Sequence, residues 1–337
     1  MAKRKLSWFA VMVVVLFATL YAQSPPEVVW NKVYDSGNLD VATGVAVDGA
    51  GFVYVTGGSS NGTNNDYRTI KYDRDGNVQW NKVYNSGYGD VAVGVAVDSA
   101  GFVYVTGYSS NGTNNDYRTI KYDADGNVQW NKVYDYGYED QALGVAVDGA
   151  GFVYVTGRSY NGTDYDCRTI KYDRDGNVQW NKVYDSGDND EAYGVAVDGA
   201  GFVYVTGRSY NGTDFDYRTI KYDADGNVQW NKVYDSGAGD HAWGVAMDGA
   251  GFVYVTGYSY NGTNNDYRTI KYDRDGNVQW NKVYNSGYGD VAVGVAVDSA
   301  GFVYVTGYSS NGTNNDYRTI KYDSDGNVQW NKVYDSG

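Results

Sequence analysis

Tryptophan recurs at a fixed interval: Trp30, Trp80, Trp130, Trp180, Trp230, Trp280 and Trp330 stand fifty residues apart, and each is followed by Asn-Lys-Val-Tyr. A strict period on this scale means that one supersecondary unit is copied and that neighbouring copies bury each other's apolar faces. The chain is therefore a solenoid, an array or a propeller. One unit, from Gly94 to Tyr134, decides among these. It contains four short segments, Val95–Val97, Phe102–Thr106, Tyr117–Tyr122 and Val128–Tyr134, rich in β-branched and aromatic residues and without helical periodicity. Asp98-Ser99-Ala100-Gly101 and Asp123-Ala124-Asp125-Gly126-Asn127 are tight turns, and the longer polar stretch Tyr108–Asp116 carries Asn111-Gly112. Four antiparallel strands per unit and no helix match a propeller blade. The second strand is apolar or aromatic on both sides, as a sheet sandwiched between two others requires.

The repeated Val-Ala-Val-Asp-x-x-Gly-Phe-Val-Tyr-Val-Thr-Gly and Thr-Ile-Lys-Tyr-Asp-x-Asp-Gly-Asn-Val-Gln-Trp resemble the SBBP β-propeller repeat of secreted and surface bacterial proteins, and more distantly NHL repeats. Phe52 and its equivalents depart from the family, which usually carries a turn-favouring Asn or Lys there. The resemblance implies export and a propeller, and no established activity. The expected fold is all-β, a β-propeller of four-stranded antiparallel blades. Six quartets of strands lie between Asp40 and Tyr334, and Glu27–Tyr34 supplies one extra copy of the fourth strand. Six blades are favoured; the alternative is a truncated seven-bladed propeller. Residues 61–123 and 261–323 are identical, the mark of a recent duplication.

Lys3, Arg4 and Lys5 precede an apolar run from Leu6 to Leu20, shorter than the roughly 18 residues of a membrane span, and small or polar residues follow. Residues 1–22 therefore read as a signal peptide and 23–337 as the propeller, secreted, periplasmic or held at the cell surface, with no transmembrane span once the signal is removed. The formal charge is −14, and loss of the three cations takes it to −17. That balance argues against nucleic acid as a partner. Cys167 stands where other repeats carry Tyr67, Tyr117, Tyr217, Tyr267 and Tyr317, so it reads as a drifted tyrosine.

Copies differ mainly in two loops that an antiparallel blade places on one face: the loop leading into the first strand and the loop between strands two and three. Variation concentrated on one rim marks a partner-binding surface, with an extracellular glycan, peptide or envelope polymer as the expected ligand. The candidate contact residues are Tyr160, Tyr193, Tyr210, Trp243 and Tyr260. Thr43, Val93, Leu143, Tyr193, Trp243 and Val293 precede the innermost strands, so their side chains either meet a ligand at the channel mouth or fill the channel. Asp40, Asp90, Asp140, Asp190, Asp240 and Asp290 form an expected ring of carboxylates, read first as loop caps and second as calcium ligands. Asn61-Gly62-Thr63 and its copies fit the N-glycosylation pattern and, better, a plain turn. Catalysis needs distinct groups in asymmetric roles, and the chain offers one histidine, His241, and one cysteine. The expectation is a non-enzymatic scaffold without a cofactor. The rival readings are a structural envelope protein and a metal-dependent hydrolase or lyase.

Overall fold

The computed structural model describes residues 29–335; the signal-peptide segment 1–22 lies outside them. Six four-stranded antiparallel sheets, each in simple up-and-down order, form the blades of a six-bladed β-propeller without helices. Blade 1 consists of β1 (Asp40–Val47), β2 (Val53–Ser60), β3 (Asn65–Tyr72) and β4 (Val78–Tyr84). Blades 2 to 6 begin at Asp90, Asp140, Asp190, Asp240 and Asp290 and repeat this pattern fifty residues on. First strands of successive blades neighbour one another, so β1 and its equivalents line the axis and β4 lies outermost.

Two hairpins on one end, the turn face, are closed by aspartates. Asp48 Oδ1 accepts the amides of Ala50 and Phe52, while its Oδ2 accepts the Tyr54 hydroxyl. Gly51 has φ 84, a left-handed conformation that glycine adopts without penalty. Asp73 holds Asp75 and Asn77 in the same way. Phe52, the departure from the family pattern, has its ring 4.3 Å from the Lys71 ammonium, a cation–π contact that a turn-favouring Asn would forgo. On the opposite end, the loop face, Asn61 Oδ1 accepts the amides of Thr63 and Asn64 and its Nδ2 donates to Asn64 and Asp66. That network is the turn read from the sequence.

The core lies between blades. At the first junction Tyr54, Tyr67 and Trp80 of blade 1 pack on Ala92, Val103, Val105, Ile120 and Tyr122 of blade 2, and four further junctions repeat the arrangement. Val103 and Val105 point to one side of their strand and Tyr104 to the other, so each sheet gives tyrosines forward and takes them on valines behind. Polar ties follow the same step: Tyr67 Oη donates to the Arg118 carbonyl at 3.3 Å, and Lys71 Nζ and Trp80 Nε1 both donate to the Ala124 carbonyl, at 3.0 and 3.1 Å. Such ties leave a buried ammonium and indole N–H satisfied.

Candidate binding face

The register of each first hairpin slips by one residue between Ala42 and Gly44 and their equivalents. The extra residue is a β-bulge, which re-aims its side chain and bends the strand. Thr43, Val93, Leu143, Tyr193, Trp243 and Val293 are those bulge residues. The carbonyls of Val93, Tyr193, Trp243 and Val293 turn toward the preceding blade: a Cβ built on Gly144 would lie 2.8 Å from the Tyr193 carbonyl oxygen, which is why the position is glycine. The sequence position that differs most among the copies is thus fixed in backbone and free in side chain.

Four of the five expected contact residues belong to one network. The rings of Tyr193 and Trp243, on adjacent blades, meet at a centroid distance of 4.3 Å. The Tyr193 hydroxyl donates to Glu191 Oε2. Glu191, nearly fully buried, also pairs with Arg158 and Arg208, each at 3.0 Å. Arg158 lies 4.7 Å over the Tyr165 ring, and Tyr165 packs on Tyr160 at 5.3 Å. Arg208 lies 4.1 Å over Phe215, which packs on Tyr210 at 5.3 Å. Tyr260, 40 % exposed, stands apart from this network. The expected residues Tyr160, Tyr193, Tyr210 and Trp243 are therefore joined through Glu191 and two arginines, across blades 3 and 4 and onto blade 5. Glu191, Arg158 and Arg208 were visible in the sequence as variable loop-face residues. Their pairing required knowing that residues 158, 191 and 208 share one corner.

Electrostatics hold this hub in one state. Burial works against the Glu191 charge, but Arg208, the Tyr193 hydroxyl and Arg158 together keep its carboxyl below the usual range. Burial and the Glu191 charge push the Tyr193 phenol well above its usual range. His241 accepts a hydrogen bond from Arg208 Nη1 at Nδ1, 2.9 Å, and stacks on Tyr258 at 4.7 Å. Burial and the neighbouring guanidinium lower its pKa to about 4, so the imidazole is neutral. In sequence His241 has no orienting neighbour; in space it has Arg208, Phe215 and Tyr258. The Trp243 indole N–H is buried without a hydrogen-bond partner.

The aspartates Asp90, Asp140, Asp190, Asp240 and Asp290 are fully buried and Asp40 is half-buried. Each accepts the backbone amide four residues earlier, as at Ser186 to Asp190, 2.6 Å. Among the described residues, carboxylates gather in threes at Asp116–Asp135–Asp140 and at Asp214–Asp216–Asp235, so of the six only Asp140 joins a group with metal-ligand spacing. Burial first and Asp135 second raise the Asp116 pKa to about 6. Cys167 is buried in its tyrosine slot, and burial pushes its thiol well above the usual range, away from nucleophilic character.

Residues 85–114, 185–216 and 285–314 match the family profile of the SBBP β-propeller repeat. No curated protein matches the sequence. Among solved structures, the chain is similar to a protein of unknown function from Bacteroides caccae, with a TM-score of 0.52 at 12 % identity, covering 83 % of this chain and 93 % of that one. It is equally similar to Chaetomium thermophilum Sqt1 bound to the N-terminus of the ribosomal protein L10, with a TM-score of 0.52 at 11 % identity, covering 87 % of each chain. At such identities the likeness is one of fold.

Proposed function

From a chain of SBBP β-propeller repeats folded into six blades, we propose an exported, non-enzymatic scaffold that binds a glycan, peptide or surface polymer on the loop face of blades 3 to 5. The observation that carries this reading is the Glu191 hub. Aromatic rings, two guanidiniums and an unpartnered indole N–H are concentrated at one sector of the rim where the copies differ most. Aromatic planes with polar edges suit sugars and extended peptides alike, because they give contact area at low entropic cost. Sqt1, similar in fold, was solved bound to the N-terminus of a ribosomal protein, in keeping with the peptide option. The polar residues are paired with one another, in contrast to the asymmetric acid and base that hydrolysis requires.

A glycan array and a peptide display screen with the mature chain test the proposal. Binding that quenches Trp243 fluorescence and is lost in Tyr193→Ala and Trp243→Ala supports it. Absence of binding in both screens, or binding indifferent to both substitutions, refutes it. The six aspartates act here as loop caps, with no metal required. The signal-like segment 1–22 directs export; the N-terminus of the mature protein, read by mass spectrometry near residue 23, checks that. A structural envelope role would instead tolerate exchange of blade 4 for blade 2, which the binding role does not.

A further inference from the structure

Each blade has two faces, and five junctions show what each binds. The forward face offers a tyrosine from the second strand, a tyrosine from the third (Cys167 in blade 3) and the tryptophan. The backward face offers Ala, two Val, Ile and Tyr. Blade 6 has the same forward residues, Tyr304, Tyr317 and Trp330, and blade 1 the same backward residues, Ala42, Val53, Val55, Ile70 and Tyr72. Yet Tyr317 is 72 % exposed, where Tyr117 in the same slot is 0 % exposed. On blade 1, Val45 and Val47 are exposed, while their equivalents Val95 and Val97 pack against the first junction. A Cβ on Gly294 would meet only Thr306 of its own blade, whereas on Gly194 it would meet the Trp243 carbonyl of the next blade at 2.9 Å. The sixth junction is thus unmade on both sides, between two surfaces built to receive a blade.

The outer edge of this slot is already furnished. The Trp30 ring lies 5.8 Å from Tyr72 as Trp80 lies 6.0 Å from Tyr122, and Trp30 Nε1 donates to the Arg74 carbonyl at 3.1 Å as Trp80 does to that of Ala124. Arg68 sits 4.5 Å over Tyr34 as Arg118 sits 4.8 Å over Tyr84. Residues 30–34 therefore stand where the outer strand of a blade preceding blade 1 would stand, and among the described residues they join no sheet. A cavity of about 220 Å³ opens between them and blade 1, lined by Trp30, Tyr34, Val41, Ala42 and Val55 among others. The seat that Trp30 fills is also the one Trp330 would need for blade 6 to close directly on blade 1, so direct closure and the observed arrangement exclude each other.

We propose that this slot is an acceptor for the three inner strands of one further repeat. The incoming third strand pairs with residues 30–34 in the register that joins Lys71 to Trp80 and Tyr67 to Tyr84, completing a blade by strand addition. Its chemistry is dictated by the walls. It presents Ala, Val, Val, Ile and Tyr to blade 6 and two tyrosines to blade 1, as residues 90–122 do in their own place. Among the described residues all six such triplets are already engaged in their own blades, so none of them is the occupant.

The test mixes the full chain with a synthetic polypeptide of the sequence 88–122 and reads stoichiometry and amide exchange. The expected result is one peptide per chain and exchange slowed by about tenfold or more at residues 41–47 and around Tyr317. Trp30→Ala, a peripheral change, weakens binding by about tenfold, and Tyr317→Asp abolishes it. If the free peptide self-associates, the same residues fused after Gly337 give a second route, with the same protection expected. No binding and no protection by either route overturns the proposal. So does a chain whose Tyr317 region is already protected when alone and monomeric, or one that buries the slot in a dimer of itself.

Discussion

Replacing Cys167 with tyrosine restores the slot filled by tyrosine at the other junctions, and the structure gives the terms of the change. Tyr117 donates its hydroxyl to the Arg168 carbonyl at 3.4 Å and meets Tyr134 edge-on at 5.9 Å. Its Oη lies 2.7 Å from where a Cβ on Gly157 would be, so the next blade's glycine is the hydroxyl's seat. Gly207 keeps the same seat open at the junction that Cys167 serves. A net hydrogen bond of about 1 kcal/mol, an aromatic pair of about 1 kcal/mol and roughly 2 kcal/mol of added burial favour tyrosine. Overpacking of neighbours settled around a thiol opposes it by about 1–3 kcal/mol. The expected net gain for Cys167→Tyr is about 2 kcal/mol, a rise in Tm of roughly 4–8 °C at about 2–4 °C per kcal/mol for a cooperative unit of comparable size. Tyr117→Cys should cost about 3 kcal/mol by the converse reasoning. Differential scanning calorimetry on both variants decides. A lower Tm for Cys167→Tyr, with Tyr117→Cys near neutral, would show that the tyrosine slot is not the unit of junction stability.

His241 provides a pH dependence with a definite sign. Its folded pKa of about 4 lies below the value near 6.5 of an unfolded imidazole, so between those values the unfolded chain binds the extra proton and stability falls as pH drops. Allowing for solvent screening, the loss is about 1–2 kcal/mol. His241→Phe should flatten that part of a urea-denaturation profile, and an unchanged slope would refute the assignment. Asp190→Ala should cost about 1–3 kcal/mol, because it strands the Ser186 amide and the Ser209 hydroxyl in a buried site. Chelator should leave the wild-type Tm unchanged, and a drop would make these aspartates ligands rather than caps.

The fold was readable because each level of the sequence agreed with the next. The period set the unit, the turn residues of Asp48–Phe52 and Asp73–Asn77 divided it into strands, and the two-sided apolar character of Phe52–Val55 required sheets on both flanks. The candidate site was legible only in outline. Variation at positions 158, 191, 208 and 243 marks a rim, but an ion pair between Arg158 and Glu191 spans two blades, and linear spacing does not report the angle between them. The bulge at Tyr193 and Trp243 was hidden for a similar reason: a slip of one residue is a property of two strands in register, not of either alone. The extra strand copy in residues 27–34 was plain in the sequence, whereas its seat against Tyr72 depends on which side of blade 1 remained open.

The lysine that crosses each junction on the turn face reaches for a backbone carbonyl, not for a side chain. Lys71 finds Ala124, Lys121 finds Arg174 and Lys271 finds Ser324, all at 2.9–3.0 Å. The identity of the receiving residue is thereby uncoupled from the joint it completes, which accounts for its drifting between alanine, arginine and serine while the rest of those turns changes only from Gly49 to Ser99 and their equivalents. Each blade consequently carries one exposed position, evenly spaced around the disc, where a fluorophore, a graft or a charge can be installed without disturbing the joint between blades.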